Sequence, residues 1–309
     1  MARQLNYRPN SNAAGLATGK SRQIGHVIPL SDHQMINPHF SDFIAGAGET
    51  FSTASYDMLL RVVSNQHTEE VYRDFANRVD GVIVHGPLID DPRIELLQDL
   101  GLPFVVHGRS GRDEESYSWL DVNNKRAFQR ATAFLAESGH RRIALVNGLE
   151  AMTFAHRRRL GYQDGLSAHG IAFDPTLLSN GDMDEPYGYR STSDLLSLQS
   201  PPTAILYASV LPAMGGVRAL ADAGLSPGRD VSIITFDDQL SFLHPGSTGS
   251  IPHFTCLRSS IRSAGRRVAE MLLEQIDGGA ETPVHELWEA EFVIGQSTAR
   301  QSKQDRRDE

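Results

Sequence analysis

Short apolar runs alternate with segments of helical periodicity from residue 24 onward. The runs at 24–30, 81–85 and 103–107 are predicted to be strands, and the segment 40–55 carries apolar residues at helical spacing. The strands are apolar throughout instead of alternating with polar residues, which is typical of parallel strands covered by helices on both faces. This pattern predicts an α/β fold assembled from β-α-β units.

The same alternation begins again after Asp121 and continues to residue 294. A sheet of more than about ten strands is uncommon, and a chain of this length corresponds to about two domains. The pattern therefore predicts two doubly wound lobes in series. The predicted strands are 24–30, 58–63, 81–85, 103–107, 142–146, a weak one near 178, 203–207, 231–236 and 291–294, and the predicted helices are 40–55, 69–78, 92–100, 125–138, 158–169, 187–198, 213–223 and 259–276.

Composition narrows the class of protein. Hydrophobic residues are 40% and charged residues 22% of the 309, as in ordinary globular proteins. No apolar run reaches the roughly 18 residues of a membrane span, and the first 21 residues lack the apolar core of a signal peptide. The single cysteine, Cys256, excludes an internal disulfide and is predicted to be a buried, inert thiol. A cytoplasmic protein without membrane contact is expected.

Charge is distributed unevenly along the chain. The formal net charge is −9, from 29 basic and 38 acidic residues. Residues 1–22 contain Arg3, Arg8, Lys20 and Arg22 and no acidic residue, so this segment is +4 and the remainder is −13. The segment is either an arm that contacts phosphates or a basic leader without function.

Polar side chains follow several of the predicted strands directly. Ligands of parallel α/β sheets bind beyond the carboxyl ends of strands. Such residues suit a neutral polyhydroxyl ligand because Arg and Asp can each bind vicinal hydroxyls with two hydrogen bonds; alternatively, they form turns. The residues at these positions are Ser31, Asp32, His85, Arg109, Asn147, Ser209, Asp237 and Asp238.

Catalytic and metal-binding motifs are missing from the sequence. Gly15 to Ser21 is one residue short of a Walker A loop, and Gly46-Ala47-Gly48 indicates close helix packing instead of a dinucleotide site. No H-E-x-x-H pair or G-x-S-x-G elbow occurs. We therefore expect no enzyme activity, no metal and no cofactor; His33, His39 and His244 are predicted to form hydrogen bonds beside the cleft.

Several long segments together resemble the LacI/GalR family of bacterial transcription repressors. They are LNYRPNSNAAGLATGKSRQIGHVIP, VDGVIVHG, GLPFVVHGR, DVNNKRAFQRATAFLAESGHRRIALVNG, RRRLGYQDGL, PPTAILYAS, GLSPGRDVSIITFDD and FTCLRSSIRSAGRRVAEMLL, which span nearly the whole chain. The combination of IGHVIP, INPHFSDFIAGAGE, VVHGRS and EPYGYR is similar to the repressors of α-glucoside operons.

This resemblance implies two parallel-sheet lobes of the type I periplasmic-binding-protein kind, joined by three crossovers near residues 123, 254 and 283. The implied division is a headpiece remnant and hinge helix at 1–22, a first lobe at 23–122 and 254–283, a second lobe at 123–253 and 284–300, and a disordered tail at 301–309.

The resemblance also implies DNA contacts in the hinge, from Arg8, Asn10 and a minor-groove wedge at Leu16. The family carries a helix-turn-helix headpiece before this hinge, and the sequence starts near the end of its last helix. Because most of the headpiece is missing, we expect these 309 residues to bind DNA weakly, whereas the intact protein binds an operator as a homodimer.

For the effector, the resemblance implies a small sugar held by Arg158, in the family's Arg-x-x-Gly motif, and by Asp237. Met183 stands where some members place an aromatic residue, so stacking on the sugar is left to Phe40, Tyr187 or Trp119. Alternatives are a stand-alone sugar-binding protein for transport and, less favoured, a sugar-modifying enzyme. The full predicted ligand set is Ser31, Asp32, Phe40, His85, Arg109, Arg158, Met183, Tyr187, Ser209 and Asp237.

Overall fold

A computed structural model describes residues 19–29, 38–63, 67–236, 253–278 and 282–301. Ser31, Asp32 and Asp237 lie outside the described residues, as do the predicted hinge residues Arg8, Asn10 and Leu16. In chain order the described elements are β1 (Gln23–Pro29), α1 (Pro38–Thr53), β2 (Asp57–Val63), α2 (Thr68–Phe75), β3 (Gly81–His85), α3 (Pro92–Asp99), β4 (Phe104–His107), β5 (Ser118–Val122), α4 (Asn124–Glu137), β6 (Ile143–Asn147), α5 (Thr153–Ala168), β7 (Leu178–Asn180), α6 (Glu185–Leu196), β8 (Ala204–Tyr207), α7 (Val210–Asp222), β9 (Ser232–Phe236), β10 (Thr255–Arg258), α8 (Ile261–Ile276), β11 (His285–Trp288) and β12 (Glu291–Val293), with short 3-10 helices at Glu114–Ser116 and Pro175–Leu177.

The first lobe is built on a six-stranded sheet of order β11-β5-β4-β3-β1-β2. All its strand pairs are parallel. Val82, Ile83 and Val84 of the central strand β3 are fully buried. One face of the sheet is covered by α2 and α3, and the other by α1 and α8. The continuous apolar strands of the sequence are explained by this two-sided burial.

The second lobe has the same layout in a sheet of order β12-β10-β9-β8-β6-β7. Only the pair of β10 with β12 is antiparallel among its described pairs. Helices α4 and α5 cover one face, and α6 and α7 cover the other. The predicted α/β class with two parallel-sheet lobes is confirmed. In the part of the chain that the structure describes, no helix has both the length and the apolarity to cross a membrane.

Helices α1 and α8 approach each other closely because glycine lies at their contact. A Cβ atom at Gly46 would overlap the carbonyl of Arg262, and one at Gly265 would overlap the carbonyl of Phe43. The predicted role of Gly46 in close helix packing is thereby confirmed. The contact draws the late helix α8 onto the first lobe, although most of the chain between the two helices belongs to the second.

Strands β5, β10 and β11 were not predicted from the sequence. Two predicted boundaries between the lobes are wrong as a result. Strand β10 lies in the second sheet, so the chain returns to the first lobe after Arg258 and not at residue 254. Strand β11 pairs with β5 in the first sheet, so the last crossing follows Trp288 and not residue 283. Strands β5 and β11 were missed because Ser-Trp-Leu-Asp-Val and His-Glu-Leu-Trp are not continuous apolar runs.

The start of α5 also differs from the prediction. This helix begins at Thr153 and not at Arg158. Arg158 therefore lies in the second turn, where its side chain points into the protein.

Candidate functional site

The carboxyl ends of the strands in the two lobes face each other across the boundary between the lobes, which we call the cleft. The loop after β3 and the loop after β6 bridge it, with an antiparallel bridge between Leu88 and Met152. The backbone N–H of Ile89 also donates to the carbonyl of Ala151 at 3.0 Å. These contacts bring together the strand ends at which the sequence places polar residues.

Arg158 supplies the buried positive charge of the second lobe. Its Nε donates to Asn124 Oδ1 at 2.7 Å, and its Nη1 donates to the carbonyl of Ala208 at 2.6 Å. The guanidinium carbon lies 4.0 Å from the ring centroid of Phe236, and the residue is only 7% exposed. Backbone, amide and aromatic partners thus stabilise a guanidinium that cannot lose its proton.

The first lobe presents imidazoles to the cleft. His85 ends β3 and His107 ends β4, and their Nδ1 atoms are 3.1 Å apart. One of these atoms must donate and the other must accept, so the two rings hold opposite tautomers. Burial lowers the pKa of His107 to about 4 and holds the pKa of His85 well below its ordinary value. The pair is therefore neutral at pH 7.

His26 and Phe40 extend this neutral surface. His26, in β1, is 1% exposed, and burial lowers its pKa to about 3. The Phe40 ring lies 5.5 Å from the His26 ring and stands edge-on to His85 at 6.0 Å. Phe40 and His85, both predicted as ligand residues, are brought together here.

Of the three aromatic residues considered for stacking on a sugar, Phe40 has the most suitable surroundings. The Trp119 ring lies 4.9 Å from the guanidinium of Arg109. The hydroxyl of Tyr187 donates to the carbonyl of Asn147 at 3.0 Å, inside the second-lobe core. Trp119 and Tyr187 are thus packed within their own lobes.

A hydrogen bond spans the cleft from His39 to Ser209. His39 Nε2, on α1, is 3.0 Å from Ser209 Oγ, and the same oxygen caps α7 by accepting the N–H of Leu211. Burial, and secondarily the charge of Arg158, lowers the pKa of His39 to about 4. The predicted hydrogen-bonding role of His39 is therefore seen in the structure, and this residue belongs with the site.

Two other predicted ligand residues have partners within the protein. Met183 packs against the second-lobe core. Arg109 donates through Nε to Asp121 at 2.9 Å and through Nη1 to Glu114 at 3.2 Å. Both oxygen partners belong to the first lobe. The surroundings of Arg109 are therefore those of an ion-pair network, and its predicted contact with a ligand stays a prediction.

His107 and Asn124 were not predicted to be site residues. His107 ends its strand as His85 does, so the rule that selected His85 would also have selected it. Asn124 follows β5, which was not predicted as a strand, so no strand-end signal pointed to it. Within the described residues, no group of three or more His, Cys, Asp or Glu side chains is arranged to hold a metal ion.

The chain is similar to known proteins in both sequence and domain content. Residues 132–298 match the periplasmic binding protein-like domain. The chain is 40% identical over 298 residues to the HTH-type transcriptional regulator AglR of Rhizobium meliloti, covering 96% of this chain and 83% of that protein. It is 30% identical to the HTH-type transcriptional regulator RafR of Escherichia coli, covering 95% and 86%.

A solved structure described as the transcriptional regulator CelR–cellobiose complex is similar throughout. It superposes with a TM-score of 0.80 at 27% identity, covering 96% of this chain and 88% of that one. Shared fold, matching domain and extended identity to named regulators agree with the resemblance seen in the sequence. The chain belongs to the LacI/GalR family of transcriptional regulators.

Proposed function

We propose that this protein is a sugar-responsive transcription regulator whose cleft binds a neutral sugar, an α-glucoside, and thereby switches the affinity for operator DNA. The observation that carries the proposal is the buried guanidinium of Arg158, held by Asn124 and Ala208 at the edge of the cleft. A fixed guanidinium can hold vicinal hydroxyls of a sugar with parallel hydrogen bonds.

The neutral imidazoles opposite Arg158 support an uncharged ligand. A neutral imidazole carries both a donor and an acceptor, which matches a hydroxyl group. Phe40 offers an aromatic face for the C–H side of a sugar ring. Arg109 and Arg157 are paired with Asp121 and Glu114, so this network adds no net charge to attract an anionic ligand. The choice of an α-glucoside rests on the sequence resemblance to α-glucoside operon repressors.

The segment that leads to the predicted hinge is tied firmly to the first lobe. Asp80, just before β3, accepts the backbone N–H of Ser21 at 2.7 Å and that of Arg22 at 2.9 Å. In this proposal, a rearrangement of the first lobe therefore moves Ser21 and Arg22 with it. Ligand binding shifts the equilibrium between cleft conformations, and the shift is limited by the difference in affinity for the two.

A homodimer is part of this proposal. Strand β2 is an edge of the first sheet, and its Leu60 and Val62 are 44% and 37% exposed. An edge strand with exposed apolar side chains is a template for contact with a second copy. A palindromic operator would then match the two-fold symmetry of the dimer.

The direct test is a thermal-shift panel of maltose, trehalose, sucrose, cellobiose, glucose, glucose 6-phosphate and glucuronate. A neutral α-glucoside should raise the melting temperature, because a ligand that binds the folded state stabilises it by mass action. The two anionic sugars should have no effect. Stabilisation only by an anionic sugar, or by none of the panel, would contradict the proposed effector class.

The proposed switch is tested by DNA binding of the intact protein. Its anisotropy titration on a labelled palindromic operator should change in midpoint when the best sugar of the panel is added. An operator affinity that is the same with and without this sugar would contradict the proposed switch, while leaving sugar binding in place. No described feature favours the alternative of a stand-alone transport protein.

A further inference from the structure

Four charged side chains form a network that joins the two lobes, which we call the interlobe clasp: Arg109, Glu114 and Asp121 of the first lobe, and Arg157 of the second. Arg157 Nη1 donates to Asp121 Oδ2 at 2.8 Å, and its Nη2 donates to Glu114. Arg109 donates to the same two carboxylates. Each carboxylate is thus shared by one arginine from each lobe.

The clasp is shielded from water and balanced in charge. Its side chains are 8–24% exposed, with Asp121 the most buried. Two arginines face two carboxylates, so the assembled group has no net charge. Removal of one partner from such a group leaves a poorly solvated charge, which is costly. Separation of the lobes would instead break both ion pairs of Arg157, the clasp's only member from the second lobe.

The clasp is also linked to the ligand-binding guanidinium. Asp121 Oδ1 accepts the backbone N–H of Val122 at 2.8 Å and, more weakly, Asn124 Nδ2 at 3.4 Å. The other end of the Asn124 amide accepts Arg158 Nε at 2.7 Å. The chain passes from the first lobe to the second between these residues. Adjacent arginines of α5 therefore contact the two ends of one crossover segment.

We propose that the interlobe clasp holds the lobes together in the absence of ligand, and that Asp121 and Asn124 couple it to Arg158. Arg157 and Asp121 are positioning residues in this proposal, since they act on the ligand through the closed geometry and not by contact. Opening breaks both ion pairs of Arg157 and leaves Arg109 alone with two carboxylates, so the clasp favours the closed conformation. The coupling to a ligand rests on the proposed function, whereas the closure of the free protein does not.

A third arginine of α5, Arg159, provides a matched control. Arg159 Nε donates to Glu150 at 2.7 Å, and both residues belong to the second lobe. Arg157→Met and Arg159→Met each remove one arginine from an arginine–glutamate contact on the same helix. Only the first of them breaks a contact between lobes.

The experiment compares wild type, Arg157→Met and Arg159→Met by small-angle X-ray scattering without ligand, at ionic strengths of about 0.05 M and 1 M. The radius of gyration of Arg157→Met should exceed that of wild type at low salt. Salt at the higher strength shortens the Debye length to ~3 Å. Because salt screens partly buried pairs less than exposed ones, it should expand wild type and Arg159→Met only slightly and leave Arg157→Met unchanged. Equal radii for Arg157→Met and wild type in both salts would overturn the closure.

Calorimetry with the best sugar of the panel then tests the coupling. Arg157→Met should bind it roughly 5- to 150-fold more weakly, the usual range of coupling between sites, and Arg159→Met should bind as wild type does. An unchanged affinity in Arg157→Met would overturn the coupling. If wild type binds none of the sugars, the proposed function fails, and the scattering result still decides the closure.

A second variant guards against misfolding. Glu114 lies in an exposed 3-10 turn and Glu114→Gln preserves its shape, so the fold should tolerate this change. It should expand the free protein in the same direction as Arg157→Met, by a smaller amount, because Asp121 still pairs with Arg157. If the radius of gyration of Glu114→Gln equals that of wild type at both ionic strengths, the result would count against the clasp.

Discussion

The first lobe faces the cleft with imidazoles, and the second lobe faces it with a guanidinium. His26 is buried and His85 and His107 are half-buried, all in the neutral form, because an imidazole can release its proton at little cost near pH 7. Arg158 has no such option, so it is surrounded by acceptors and an aromatic face. Polar groups are therefore buried in two different ways in this cleft. The first-lobe histidines lose their charge, whereas Arg158 of the second lobe keeps its charge and needs hydrogen-bond partners.

The largest expected effect is a loss of stability in acid, which acts on the cleft histidines and not on Arg158. The pKa of His26 is about 3, and those of His39 and His107 are about 4, all below the ordinary 6.5. Between the folded pKa values and 6.5, the unfolded chain binds more protons than the folded chain. The free energy of unfolding is therefore highest above about pH 6.5 and falls as the pH decreases. Each such histidine contributes up to ~1.4 kcal/mol per pH unit.

Urea unfolding at pH 7, 6 and 5 measures this loss. The free energy of unfolding should decrease by several kcal/mol over the series, the sum of these per-histidine slopes. His107→Gln, which keeps a hydrogen-bonding side chain, should reduce the slope by about one proton. An identical slope in this variant would show that His107 does not remain neutral in the folded protein.

Replacement of Arg158 should affect binding more than any other change on the second-lobe side. Arg158→Ala removes the proposed sugar contact and leaves the acceptors Asn124 and Ala208 without their donors. We expect about 1–3 kcal/mol lower stability and sugar binding too weak for calorimetry to detect. Arg158→Lys, a positive charge without the planar fork, should recover stability in part but not affinity. Full affinity in either variant would contradict the site.

The choice among aromatic residues is the next test. Phe40→Leu should weaken sugar binding by about 0.5–1.5 kcal/mol, since it removes an aromatic face and keeps apolar bulk. Tyr187→Phe is the comparison, because it removes only the hydroxyl that donates to Asn147. It should lower stability by ~1 kcal/mol and leave affinity unchanged. The reverse pattern in calorimetry would assign the stacking to Tyr187.

The smallest effect is expected at the hydrogen bond that joins the two sides. His39→Leu removes the imidazole that faces Ser209 across the cleft, while Ser209 continues to cap α7. The free energy of unfolding at pH 7 should decrease by about 0.5–1.5 kcal/mol. The loss should diminish toward pH 5, because wild type is itself destabilised there by its neutral His39. A loss that is constant from pH 7 to 5 would show that His39 does not titrate as proposed.

Much of the fold could be predicted because its signals are local. Apolar runs mark the central strands β1, β3, β4, β6, β8 and β9, and glycine marks the helix ends. Strands β5, β10 and β11 lie beside the crossovers. Strands β5 and β10 carry polar residues although they are largely buried, and β11 is a partly exposed edge strand, so none of them is a continuous apolar run. Their membership of one sheet or the other depends on pairing across the molecule, so the crossings that the family resemblance implied near 254 and 283 are several residues too early.

The candidate site divides in the same way. By itself the sequence determined that His85 and Ser209 follow strands, and that Arg158 stands in a motif of the family. Only the tertiary structure decided that His107 pairs with His85, that His39 meets Ser209, and that Arg109 joins an ion-pair network with Arg157. Strand ends are set by local hydrophobic patterns, whereas the partner of a polar side chain depends on which elements pack together, and His39 and Ser209 lie 170 residues apart in the chain.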